Sequence, residues 1–131
     1  MHSPNQRILF VGNARLSASL RRKMNARGFA VTLEQNCREA FDQLTRSSFD
    51  IIVIDLVSTV DSLDFIKRIR KVVTLKAIPI VVVGEWGTGQ TSFALSAGAD
   101  VFEPAPIDAA RLIDAIARMP KKRAAAAGKG Q

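Results

Sequence analysis

Four consecutive β-branched residues, Ile51-Ile52-Val53-Ile54, run without a polar break and end at an acid, Asp55. A strand with no polar alternation has no face to offer to water. It must be covered on both sides, as the central strands of parallel sheets are. Open α/β sheets bind ligands at the carboxyl ends of their strands. Asp55 therefore stands where such a sheet keeps its chemistry.

The rest of the chain fits around that strand. Arg7 to Val11 reads as a first buried strand, with Gly12-Asn13 as a turn. Ala14 to Arg27 reads as a helix with Leu16, Leu20 and Met24 on one face, Arg21, Arg22, Lys23 and Arg27 mostly elsewhere, and Gly28 as terminator. Phe29 to Leu33 is a second strand. Asn36 caps a helix over Cys37 to Arg46 that turns Ala40, Phe41 and Leu44 inward. After Asp55, a loop from Leu56 to Asp61 leads to a helix over Ser62 to Val72. Leu63, Phe65, Ile66, Ile69, Val72 and Val73 supply its apolar side.

Pro79 opens a fourth strand, Ile80 to Val83, apolar throughout. A loop from Gly84 to Gly89 and a helix from Gln90 to Ala97 follow, ended by Gly98. A short fifth strand, Val101 to Glu103, reaches Pro104-Ala105-Pro106, and Asp108 caps a last helix, Ala109 to Met119, stopped by Pro120. Five strands alternating with five helices require crossovers, hence a parallel sheet with helices on both faces.

The totals agree with one domain. The chain has 131 residues, 47% of them hydrophobic, enough for a real core. Residues 1–120 form the expected domain; residues 121–131, rich in Ala, Gly and Lys, form an expected disordered tail. Acids interrupt every long apolar run, so no membrane span is expected. The amino end lacks a signal peptide's apolar segment, and Cys37 is the lone cysteine, so a cytoplasmic location is expected. The net charge is +7, and the tail's Lys121, Lys122, Arg123 and Lys129 account for four of it. The high pI is in large part a tail property.

The ordered landmarks are Arg7-Ile8-Leu9-Phe10-Val11, Gly28-Phe29, Phe49 to Leu56 around Asp55, Ile78-Pro79 to Val83, Gly98-Ala99-Asp100 and Pro106. In that order and spacing, from Arg7 to Met119, the chain resembles the receiver domain of two-component response regulators. The resemblance implies a flavodoxin-like (βα)5 doubly wound sheet with strand order 2-1-3-4-5. It also makes the Ala105–Pro106 peptide a candidate for the cis form.

The resemblance further implies phosphoryl transfer from a histidine kinase to Asp55, the phospho-acceptor position. The family's helpers are replaced here. Gly12 and Asn13 occupy the acidic-pocket positions that hold Mg²⁺, Gly84 the hydroxyl position, and Ala105 the lysine position. Phe102 keeps the switch aromatic, without a Tyr hydroxyl. The chain thus resembles a pseudo-receiver, a non-enzymatic protein with weak or no Mg²⁺ binding and no other cofactor. It is expected to act by protein–protein interaction on a kinase, regulator or output protein, or as a homodimer. The family's usual output face makes Phe102, Arg111 and Arg118 the candidate interaction residues.

Other readings stand beside these. Asp55 is either a working phospho-acceptor with an unusual metal site or a plain carboxylate at a strand end. Asp61 is either a loop acid of the family or the cap of the third helix. Gly84 to Thr91 nearly matches a phosphate-binding loop, but Gln90 replaces its lysine and the loop follows the acid strand. Trp86 is a contact anchor or packs against Phe93; Cys37 is expected in the core; His2 is assigned nothing. The basic residues of the first helix, with Arg68, Arg70 and Lys71, are a docking surface or a solvated face. The third functional class is a basic accessory factor meeting nucleic acid through phosphates alone; sequence-specific binding is not expected.

Overall fold

The computed structural model describes residues 6–119 apart from 58, 60, 86 and 88, and within 14–17 the backbone only. His2, Trp86, the side chain of Leu16 and the tail 121–131 lie outside the described residues.

The elements are β1 (Arg7–Val11), α1 (Ala14–Ala26), β2 (Ala30–Glu34), α2 (Cys37–Arg46), β3 (Ile51–Asp55), α3 (Ser62–Lys71), β4 (Ile80–Gly84), α4 (Gln90–Ala97), β5 (Val101–Pro104) and α5 (Ala109–Arg118). All four strand pairings are parallel and the order is β2-β1-β3-β4-β5. The uninterrupted apolar runs explain the order: every residue of β3 and β4 is buried, as are the last four of β1. The edge strands β2 and β5 are largely half-buried.

Alternation along the strands separates two cores. Leu9, Val11, Ile52, Ile54, Ile80 and Val82 face α2, α3 and α4. Ile8, Phe10, Ile51, Val53, Val81 and Val83 face α1 and α5. Burying one such side chain stabilises the fold by about 1.5–3 kcal/mol.

The caps follow from short polar side chains. Asn36 Oδ1 accepts from the Glu39 N–H at 2.9 Å, and Asp108 Oδ1 from the Arg111 N–H at 2.8 Å. The Ala105–Pro106 peptide is cis.

Several boundaries differ from the sequence reading. β2 lies one residue further on; β4 and β5 each extend by one, so Gly84 is the last residue of a strand, not the first of a loop. α3 stops at Lys71, and Val73, expected on its apolar side, is 79% exposed. Helical spacing ceases to govern a side chain once the chain has left the helix.

One arginine fastens two loops. Arg70, in the last turn of α3, donates to the carbonyls of Gly98 (2.7 and 3.0 Å), Ile78 (2.6 Å) and Lys76 (2.9 Å). It also pairs with Asp100, which itself accepts from the Ile80 N–H at 2.9 Å.

Candidate functional site

β3 delivers Asp55 to the carboxyl edge of the sheet, opposite Val83 in register. The residue is 9% exposed, and its Oδ1 accepts from the Val57 N–H at 3.0 Å. This bond across two residues folds the chain after the strand back over the acid. A cavity of about 340 Å³ opens beside it, walled by Phe10, Leu20, Val83 and Ala105, with Glu85 as the second carboxylate of its lining.

The structure brings the positions singled out in the sequence to this edge. Gly12 is buried, and its N–H donates to the Glu34 carbonyl at 2.9 Å; Asn13 beside it is exposed. Ala105 donates its N–H to the Gly84 carbonyl at 2.8 Å and presents a methyl to the cavity wall. Gly84 sits in a filled space. A Cβ there would lie 3.2 Å from Leu56 Cδ1, 3.4 Å from the Phe102 ring and 3.6 Å from Gln90 Oε1. Phe102 is half-buried and packs with the core shared by α3 and α4.

Mg²⁺ asks for oxygen ligands in near-octahedral arrangement. Around Asp55 the acidic-pocket positions provide an exposed Asn and a glycine without a side chain, and the described residues contain no group of three His, Cys, Asp or Glu able to hold a metal. The acidic-pocket positions thus add no carboxylate to those of Asp55 and Glu85.

Asp61 occupies the N-cap position of α3 in the left-handed region, φ 62°, yet its side chain makes no cap bond. Instead its charge reaches Cys37. Burial first, then Asp61, push that thiol from 9.0 up to about 11. Cys37 is half-buried against the core, so its thiol stays protonated and inert at neutral pH. Gln90, at the lysine position of the loop motif, reaches back over Gly84. Phe93, the expected neighbour of Trp86, is 63% exposed.

The candidate interaction residues divide. Phe102 belongs to the α3–α4 side of the sheet, whereas Arg111 and Arg118 rise from α5 on the other. Both arginines bind Glu103, the next residue of β5: Arg111 Nη2 at 3.1 Å, and Arg118 through a short contact. Glu103 is buried, and nothing in the sequence reading marked it. The available signal is the seven-residue separation of Arg111 and Arg118, two helical turns on one face.

No family model matches the chain. Response regulator MprA of Mycolicibacterium vanbaalenii is 33% identical over 116 residues, 86% of this chain and 48% of that protein. The chain carries a receiver domain of the response-regulator type. The hybrid signal transduction histidine kinase M of Dictyostelium discoideum is 32% identical over 114 residues, 82% of this chain and 5% of the kinase. The chain spans less than half the length of either relative. Among solved structures, the chemotaxis response regulator CheY4 of Vibrio cholerae superposes with a TM-score of 0.79 at 20% identity, covering 87% of this chain and 98% of that one. The order 2-1-3-4-5 with five helices is thus the receiver fold. Among the described residues, no helix is long and apolar enough to cross a membrane.

Proposed function

We propose that this receiver domain is a pseudo-receiver. It works in signal transduction by binding another signalling protein, with no reaction of its own and no phosphorylation at Asp55. The observation that carries this reading is the chemistry at the family's helper positions: Gly12 and Asn13, Gly84, and Ala105. Phosphoryl transfer depends on positioning and on charge stabilisation at the transferring group. Beside Asp55 the lysine position offers a methyl, and the hydroxyl position offers a hydrogen crowded by Leu56 and Phe102. A missing lysine alone removes a charge-assisted bond worth about 1.5–3 kcal/mol. Mg²⁺ has the strand-end carboxylate, Glu85 across the cavity and a neutral amide nearby, without the family's acid pair after β1, so on this reading its binding is weak or absent.

The partner face consists of α4, β5 and α5. On this reading Phe102 is its apolar contact, while Arg111 and Arg118 supply charge only so far as Glu103 releases them.

The test is intact-mass analysis after incubation with acetyl phosphate and Mg²⁺. The expected result is no phosphate adduct. An adduct on the wild type that vanishes in Asp55→Asn would make the domain a working phospho-acceptor, the reading that the retained acid at the end of β3 keeps alive.

A further inference from the structure

The cavity beside Asp55 has a lining of two unlike kinds. Phe10, Leu20, Val83, Ala105, Pro106 and Ile107 give it apolar walls, joined by Val57. Its other lining residues, Asp55 and Glu85, are both acids. Among the described residues of the lining there is no Lys, Arg or His. In a chain whose net charge is +7, this concavity carries the opposite sign.

The fold builds the cavity outward from the sheet. Phe10, Leu20 and Val83 are buried in the core shared with α1 and α5. The chain after β5 closes the other side, where the Ala105 N–H donates to the Gly84 carbonyl at 2.8 Å. Ala105 brings only a methyl to the wall, so the space beside it stays open.

The two acids lie at different depths. Asp55 is buried and Glu85 is exposed. The Val57 N–H holds Asp55 Oδ1 at 3.0 Å, which fixes the carboxylate before any ligand arrives. Both acids take part in further interactions. A carboxylate accepts at about four lone-pair sites, so those bonds leave it able to take a ligand's N–H as well.

We propose that this cavity binds a small organic cation, a primary ammonium carried on an apolar body. Its volume of about 340 Å³ lies at the small end of ligand pockets, which run from about 300 Å³ upward. An anionic ligand would meet two like charges there. A neutral apolar ligand would strip water from Asp55 and give back no donor. Mg²⁺ demands oxygen ligands and keeps its waters, so apolar walls offer it nothing. An organic ammonium uses both kinds of lining. Its N–H groups make charge-assisted bonds to the carboxylates, and its body leaves water against Phe10, Leu20 and Ile107. Excluding water from the walls strengthens the pairing in turn. The site stands apart from the pseudo-receiver reading: whether Asp55 takes phosphate is read by the acetyl phosphate experiment, and neither result decides the other.

The test titrates the isotope-labelled full chain with phenethylammonium chloride and follows the amide shifts of Val57, Glu85, Ala105 and Ile107. Phenethyl alcohol, hydrocinnamate and MgCl₂ serve as the neutral, anionic and divalent comparisons. Saturable shifts centred on those amides are expected, with a Kd of about 1 mM or tighter. The alcohol should bind at least about tenfold more weakly, because it lacks the charged donor, and hydrocinnamate should not bind. Asp55→Asn should weaken the ammonium at least about tenfold, and Glu85→Gln, at the exposed acid, by several-fold. Ala105→Leu fills the cavity and keeps both acids, so it should abolish binding. Should that variant lose its circular-dichroism spectrum, Ala105→Lys serves instead, since its own ammonium competes for the same carboxylates. The absence of saturable shifts at about 10 mM ligand overturns the proposal. So does equal binding of the ammonium and the alcohol, binding that survives substitution of Ala105 in a folded variant, or shifts of these amides by Mg²⁺ that the ammonium does not reproduce.

Discussion

Arg70 and Asp100 meet at 3.0 Å with side chains only 15% and 8% exposed, and the pair closes the seam between α3, α4 and the starts of β4 and β5. Removing one partner of a buried pair costs about 3–5 kcal/mol, because it strands the groups left behind. Arg70→Ala is expected to lower stability by that amount in urea unfolding.

Gly98 belongs to the same seam. Its φ is 131°, and a Cβ there would stand 2.7 Å from Arg70 Cγ. Gly98→Ala should destabilise by about 1 kcal/mol or more from backbone strain alone. Coupling to Arg70→Ala in a double-mutant cycle would isolate the steric part.

The Cys37 thiol, at about 11, sits above its ordinary 9.0 because of burial and then Asp61. At pH 8 its thiolate fraction is then about one in a thousand, against about one in ten for an ordinary thiol. Iodoacetamide should label native protein slowly at pH 8 and label urea-unfolded protein fast. The folded state holds this proton more tightly than the unfolded chain does. The group's contribution to stability is therefore complete below pH 9 and fades as pH climbs from 9 to 11.

Glu103 answers to two arginines that are 41% and 53% exposed. Solvent screens such pairs, so Glu103→Gln should cost only about 1 kcal/mol. The same geometry governs any mutational scan of the partner face. Arg111→Ala or Arg118→Ala removes a ligand of a buried carboxylate as well as a surface charge. Binding losses in those variants need a thermal-unfolding control, whereas Phe102→Ala needs one for packing.

Restoring the family's residues offers a direct check on the pseudo-receiver reading. Gly12→Asp, Asn13→Asp, Gly84→Thr and Ala105→Lys together are expected to raise Mg²⁺ affinity and permit some labelling at Asp55. Crowding at position 84 should make this variant about 1–3 kcal/mol less stable than wild type. Mass spectrometry and urea melts of the same sample read both effects.

The fold was legible because its signals are local. The unbroken runs of β3 and β4 needed no partner to be read, and Asn36 and Asp108 announce helix starts by residue type. The placement of Asp55 at the end of β3, with Gly84 and Ala105 at the same edge, was legible as a spacing. The Arg70 clasp and the Glu103 hub were not, since each joins residues that the chain separates by up to 30 positions and takes its meaning from backbone carbonyls or buried neighbours. Val73 misled for a related reason: hydrophobicity marks a helix face but not the residue at which the helix ends.

The crowded space above Gly84 also sets a condition on any side chain placed there. Leu56, Phe102 and Gln90 stand close around the place a side chain would need. A hydroxyl-bearing side chain placed there needs the Leu56 methyl to give way by a few tenths of an ångström. On the pseudo-receiver reading, the obstacle to a phosphate-accepting pocket is thus one of volume as well as of chemistry.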